Sequence, residues 1–194
     1  MLNKQKYKIC ALIGILLSIG MTCVIVKAKG LELQKQVAEE VLRFHVLANS
    51  DSEEDQAVKM KVKEKVLDYM KTELSGDESL DETKEWVATH LREIEEVAGS
   101  IAPAKAYLTT CEFPIKTYGD IAFPAGTYEA LRIEIGEGKG QNWWCVLYPN
   151  LCFIDAVHAV VPEEGKEDLK EVLDDEAYEM VTSKTIFKIK WFFF

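Results

Sequence analysis

The stretch from Tyr118 to Asp155, YGDIAFPAGTYEALRIEIGEGKGQNWWCVLYPNLCFID, decides the fold. It reads as β-structure cut by tight turns. Gly126 to Ile135 is its clearest strand, with Tyr128, Ala130, Ile133 and Ile135 set among Glu129, Arg132 and Glu134. Pro124-Ala125-Gly126 turns into it. Gly136-Glu137-Gly138-Lys139-Gly140 reads as a hairpin connection, with glycines free to take the positive φ such a turn needs. Trp143 to Tyr148 is the returning strand, and Pro149-Asn150 turns the chain again.

Working outward, Lys105 to Phe113 is a further strand candidate, and Val41 to Ala48 reads as the first strand. Ser52 is a good helix N-cap with acidic residues in the first turn. Val58, Val62, Val66 and Met70 then form an apolar stripe that ends near Gly76. A second helix starts at Ser79, with Glu82 completing a capping box, and Trp86, Val87, Leu91, Ile94, Val97 and Ala98 form its apolar face. The fold class expected is α+β, an antiparallel sheet packed against an antiparallel helix pair and preceded by an N-terminal export or anchor helix. The expected division is 1–28 signal peptide or membrane anchor, 29–40 linker or juxtamembrane helix, 41–160 domain, and 161–194 acidic helix and apolar tail.

Lys4, Lys6 and Lys8 precede Ile9 to Val26, 18 residues without a charge, and Lys27 ends the run. A signal peptide and a single membrane anchor both look like this, and spanning needs roughly 17–25 residues. The positive-inside bias puts the body of the chain outside the cytoplasm. Removing the five basic residues before position 30 from the total of 23 leaves 18 Lys and Arg against 33 Asp and Glu, a net charge of −15. Nucleic acid and anionic membrane surfaces repel such a domain, so no nucleic-acid partner is expected and the membrane is met only through the N-terminal segment.

No HExxH, GxSxG or Asp-Thr/Ser-Gly motif occurs, so no catalytic residue is assigned and no enzyme is expected. Neither a metal nor a cofactor is expected. Lys139 is followed by Gly140 rather than Ser or Thr, against a phosphate loop, and the acidic run at Asp51 lacks the calcium-loop Gly and Glu. His45 with Asn49 and Asp51 is either a catalytic or recognition cluster or a core histidine beside a helix start. Trp143 and Trp144 point to opposite faces of a strand, so one is core and the other an exposed anchor, or both are covered. Cys145 and Cys152, seven positions apart, close a disulfide loop through Pro149 or remain two reduced buried thiols; zinc lacks further ligands at standard spacing.

Three segments together resemble the stage II sporulation protein R family. They are RFHVLANSDS at 43–52 with EDQA at 54–57 and Lys59 to Val66, KTYGD at 116–120 with PAGTYEALR at 124–132, and GEGKGQNWWC at 136–145. The resemblance covers about residues 41–157. It implies an exported sporulation signal, made in the forespore and sent into the space between the forespore and mother-cell membranes. There it activates a membrane-bound aspartic protease of the mother cell, which cleaves pro-sigma-E. The expected receptor contacts are His45, Asn49, Asp51, Lys139, Trp143 and Trp144. The alternatives are an exported cell-wall or other hydrolase using His45, and a membrane-tethered scaffold domain.

Overall fold

The computed structural model describes residues 2–153 and 161–182. The tail Lys184 to Phe194 and the isolated His158 lie outside the described residues. A single helix, α1 (Leu2–Glu39), takes up the apolar run and continues through the segment after it. It is long and apolar enough to cross a membrane, and its most apolar window is entirely exposed. Its last turn belongs to the folded domain: Val37 is fully buried there.

The strand that follows, β1 (Leu42–Leu47), is buried at every position. Its sequence alternates, Leu42, Phe44 and Val46 with Arg43 and His45, yet both sets are buried because the strand is covered on both faces. Next come α2 (Glu53–Glu73), α3 (Leu80–Thr89) and α4 (Leu91–Gly99). Ser52 caps α2 by accepting from the Asp55 N–H, and Ser79 with Glu82 forms the full capping box of α3. The second helix expected from the sequence is in fact two. Thr89 Oγ1 donates to the Glu85 and Trp86 carbonyls, and His90 stacks on Trp86 with its Nδ1 2.8 Å from the Trp86 carbonyl. Side chains that take over helix carbonyls in this way compete with the backbone ladder. The helix breaks at His90.

The remaining strands are β2 (Ala104–Phe113), β3 (Lys116–Tyr118), β4 (Ile121–Phe123), β5 (Gly126–Ile135) and β6 (Asn142–Tyr148). A 3-10 turn (Leu151–Phe153) follows, and then α5 (Glu163–Val172) and α6 (Asp175–Thr182). Tyr148–Pro149 is a cis peptide. The main sheet has the order β2-β5-β1-β6, and β3 pairs with β4 in a separate ribbon. β2 and β6 run antiparallel to their neighbours, but β1 and β5 are parallel. The sheet is therefore mixed and mostly antiparallel.

This order corrects the hairpin expected at Gly136–Gly140. β5 and β6 are not neighbours, because β1 is inserted between them. The glycine loop arches over the end of β1. Gly140 N–H donates to the Ala48 carbonyl at 2.8 Å, Lys139 N–H to the Asn49 carbonyl at 3.2 Å, and Glu137 N–H to Asn49 Oδ1 at 3.0 Å. Gly136 and Gly138 both have φ near +60°, so the demand for glycine holds although the connection is a different one.

Two apolar clusters flank the sheet. Leu42, Phe44, Val46, Leu131, Ile133, Cys145 and Leu147 meet the helical layer of α2, α3 and α4. Tyr128, Ala130, Val146 and Phe113 meet the end of α1, the β3–β4 ribbon and the α5–α6 helices. The acidic helix expected over Glu163 to Glu179 is two, α5 and α6, broken at Leu173 and Asp174, and together they close this second layer.

Candidate functional site

Period-two alternation sends Arg43 and His45 of β1 to the face away from α2. Register places His45 between Arg132 of β5 and Trp144 of β6. β5 separates β2 from β1, yet Phe113 and Cys111 near the end of β2 reach His45, so the sheet curls over this face.

His45 is 4% exposed. Its ring stacks on Trp144 with centroids 3.7 Å apart. Asn142 Oδ1 lies 2.7 Å from His45 Nε2 and accepts its proton. That fixes the tautomer and leaves Nδ1 as an acceptor, 3.9 Å from Cys111 Sγ. Burial pushes the imidazole pKa down to about 4; the Asn142 bond opposes this, and the Arg132 charge adds to it. Burial also raises the Cys111 thiol, while Arg132 and Arg43 pull it the other way.

The depressed histidine makes stability depend on pH. An unfolded imidazole takes up its proton near pH 6.5, whereas the folded one does so only near 4. The stabilising difference is therefore complete above about pH 6.5 and is lost as pH falls toward 4. Unfolding free energy is expected to drop by about 2–3 kcal/mol between pH 7 and 4.5 from this residue. Urea titrations of the parent and His45→Gln check it: the variant should lose that part of the drop.

Arg43, beside this cluster, is fully buried. Its guanidinium lies 4.4 Å from the Phe113 ring centre, 4.9 Å from Tyr128 and 5.0 Å from Phe123. Nε donates to the Cys145 carbonyl at 3.0 Å and Nη2 to Tyr118 Oη at 3.1 Å. Tyr118 in turn donates to the Trp144 carbonyl. Burial raises the Tyr118 phenol, which therefore stays a donor.

The six residues singled out from the sequence fall into three places. His45 and Trp144 stack together on the curled face. Asn49, Asp51 and Lys139 sit at the glycine loop. Asn49 donates to Asp55 and accepts from the loop, while Asp51 and Lys139 are exposed, Lys139 paired with Glu137. Trp143 is on the opposite face, edge-on to Phe44 and under Lys63. Cys145 and Cys152 are free thiols in this structure, near enough to influence each other; burial first and the Cys145 thiol next hold Cys152 well above the ordinary range. Four residues the sequence reading missed complete the site: Arg43, Cys111, Arg132 and Asn142. The i, i+2 pairs Arg43/His45 and Asn142/Trp144 were the available signal.

Fold and site together define an acidic α+β domain carried behind a signal- or anchor-type helix. The chain belongs to the stage II sporulation protein R family, whose sequence profile matches residues 38–158. It is similar to stage II sporulation protein R of Bacillus subtilis (strain 168), with 33% identity over 193 residues, covering 93% of this chain and 86% of the relative. No solved structure matches the chain significantly. Membership gives the protein a role in sporulation.

Proposed function

We propose that this protein is an exported sporulation signal that activates a membrane-bound aspartic protease of the mother cell and so triggers processing of pro-sigma-E. Family membership over residues 38–158 carries this reading. The apolar α1 helix and the acidic domain behind it support export from the forespore into the intermembrane space. The domain acts as a ligand, not as the protease. A ligand activates by binding the active form of its receptor more tightly than the resting form, which favours a contact surface on rigid elements. The glycine loop is such an element, because two backbone bonds and the Asn49 side chain tie it to the end of β1.

On this reading the contact runs from Asp51 and Lys139 at the loop to the half-buried Trp144 on the curled face, with His45 buried behind Trp144 as its support and Trp143 serving as packing. The double charge reversal Asp51→Lys with Lys139→Glu is expected to leave stability within about 0.5 kcal/mol, as for exposed sites generally. It should lower pro-sigma-E cleavage about tenfold, the size of a modest interface loss. Full cleavage by a stable variant would remove the loop from the contact surface. We also place a disulfide between Cys145 and Cys152 after export, supported by their proximity. The Cys145→Ser/Cys152→Ser variant should then melt below the parent under oxidising conditions and level with it under reducing ones.

The test in cells replaces the stage II sporulation protein R of Bacillus subtilis with this chain. Restored pro-sigma-E processing supports the reading. An accumulated, exported chain that restores none contradicts it.

A further inference from the structure

Three cysteines lie in the folded domain. Cys145 and Cys152 are neighbours, while Cys111 stands apart on β2, half-buried beside His45. We propose that Cys111, His45 and Asn142 form a base-assisted thiol site that exchanges with disulfides, a property independent of the signalling role.

The arrangement has the three parts an activated nucleophile needs, which are the nucleophile, a base within reach, and a group that orients the base. Cys111 Sγ is 3.9 Å from His45 Nδ1, and Asn142 Oδ1 is 2.7 Å from His45 Nε2. Because Nε2 keeps its proton for Asn142, the Nδ1 lone pair is the one that faces the thiol. Trp144, stacked at 3.7 Å, holds the ring plane. The charged groups around the pair come from four strands. They are Arg43 on β1, Glu112 on β2, Lys116 on β3 over the Trp144 ring, and Arg132 with its partner Glu134 on β5. Arg43 and Arg132 stabilise a thiolate at Cys111, and Glu112 opposes them.

Burial keeps both groups neutral at rest, so the proton moves during attack rather than before it. Cys111 Sγ attacks one sulfur of a disulfide RSSR while its proton passes to His45 Nδ1. The S–S bond breaks, a Cys111–S–S–R bond forms, and the departing RS⁻ takes the proton back from His45. Cys111 sulfur is oxidised, the departing sulfur is reduced, and the imidazole returns to its starting form. A disulfide suits this site because the charge spreads over sulfur atoms and needs no oxyanion donors.

The experiment treats the full chain in detergent with 2,2′-dithiodipyridine, a neutral aromatic disulfide, and maps the modified cysteines by peptide mass. Cys111 is expected to react, at a rate that changes less than about threefold from pH 5 to 8. An unassisted thiol below its pKa instead loses about tenfold per pH unit with its thiolate fraction. Asn142 is exposed at the first position of an edge strand, so Asn142→Ala spares the core. It should slow the reaction at pH 6 at least about tenfold, less than the roughly 100-fold or more of a well-tuned base because the buried imidazole is a weak one, and restore the steep profile. Asn142→Asp keeps the acceptor and should hold the rate at pH 8 within about threefold of the parent, while the carboxylate raises the imidazole pKa and slows the reaction toward pH 5. Cys111 reacting with an ordinary steep profile in the parent, or equally fast in Asn142→Ala, would overturn the proposal. So would failure of Cys111 to react.

Discussion

Arg43→Ala is expected to cost the domain about 3–5 kcal/mol, the range of a large buried side chain cut to alanine. The residue is fully buried and surrounded by Phe113, Phe123 and Tyr128. Removing it opens a cavity among those rings. It also leaves the Cys145 carbonyl and the Tyr118 hydroxyl without their donor. A buried polar group left unpaired costs more than the bond's net worth, because the water it gave up is not replaced. Arg43→Met separates the two effects. Methionine refills much of the volume, so its cost should fall to about 1–2 kcal/mol, the part owed to the lost donors. Urea unfolding followed by tryptophan fluorescence gives both values, since Trp144 sits in the same cluster. An alanine variant within about 1 kcal/mol of the parent would show that the cage relaxes around the loss.

Gly140→Ala is the second large effect, at about 3 kcal/mol. A Cβ at this position would stand 2.1 Å from the Ser50 carbonyl oxygen and 2.9 Å from Ala48 Cβ. The first of these is backbone, and Gly140 itself donates to the Ala48 carbonyl. Neither strand end can retreat without breaking the arch over β1. Gly99→Ala is the control, because nothing lies within 4 Å of its added Cβ. It should be neutral or stabilising by a few tenths to about 1 kcal/mol. Equal melting of the two variants would mean that the loop moves freely over β1. Because the arch also positions Lys139, Gly140→Ala should lower pro-sigma-E cleavage even at temperatures where the variant stays folded.

The same loop shows how far the sequence could be read. Turn chemistry is local, and Gly136 and Gly138 were legible as positive-φ positions. Sheet order is not local. Nothing within Gly136–Gly140 records that β1, far earlier in the chain, slots between the strands it joins. The split at His90 was hidden because its cause lies in Thr89 and His90 side-chain bonds, while the apolar spacing from Trp86 to Ala98 runs straight through. Period two was enough to place Trp143 and Trp144 on opposite faces. It could not supply the partners of His45, since Cys111 and Asn142 are 66 and 97 positions away. They meet only because the sheet curls. Arg43 escaped notice for a different reason: an arginine in a strand reads as surface, and only the fold shows four aromatic rings around it.

On the proposed function, the domain by itself activates a receptor protease. The most direct test adds the purified chain from Lys29 onward, which keeps the buried end of α1, to membranes carrying the mother-cell aspartic protease and labelled pro-sigma-E. Dose-dependent cleavage is expected, and it should disappear when the protease's aspartates are replaced. Absence of cleavage by folded protein, on membranes that respond to the Bacillus subtilis relative, would contradict the proposal.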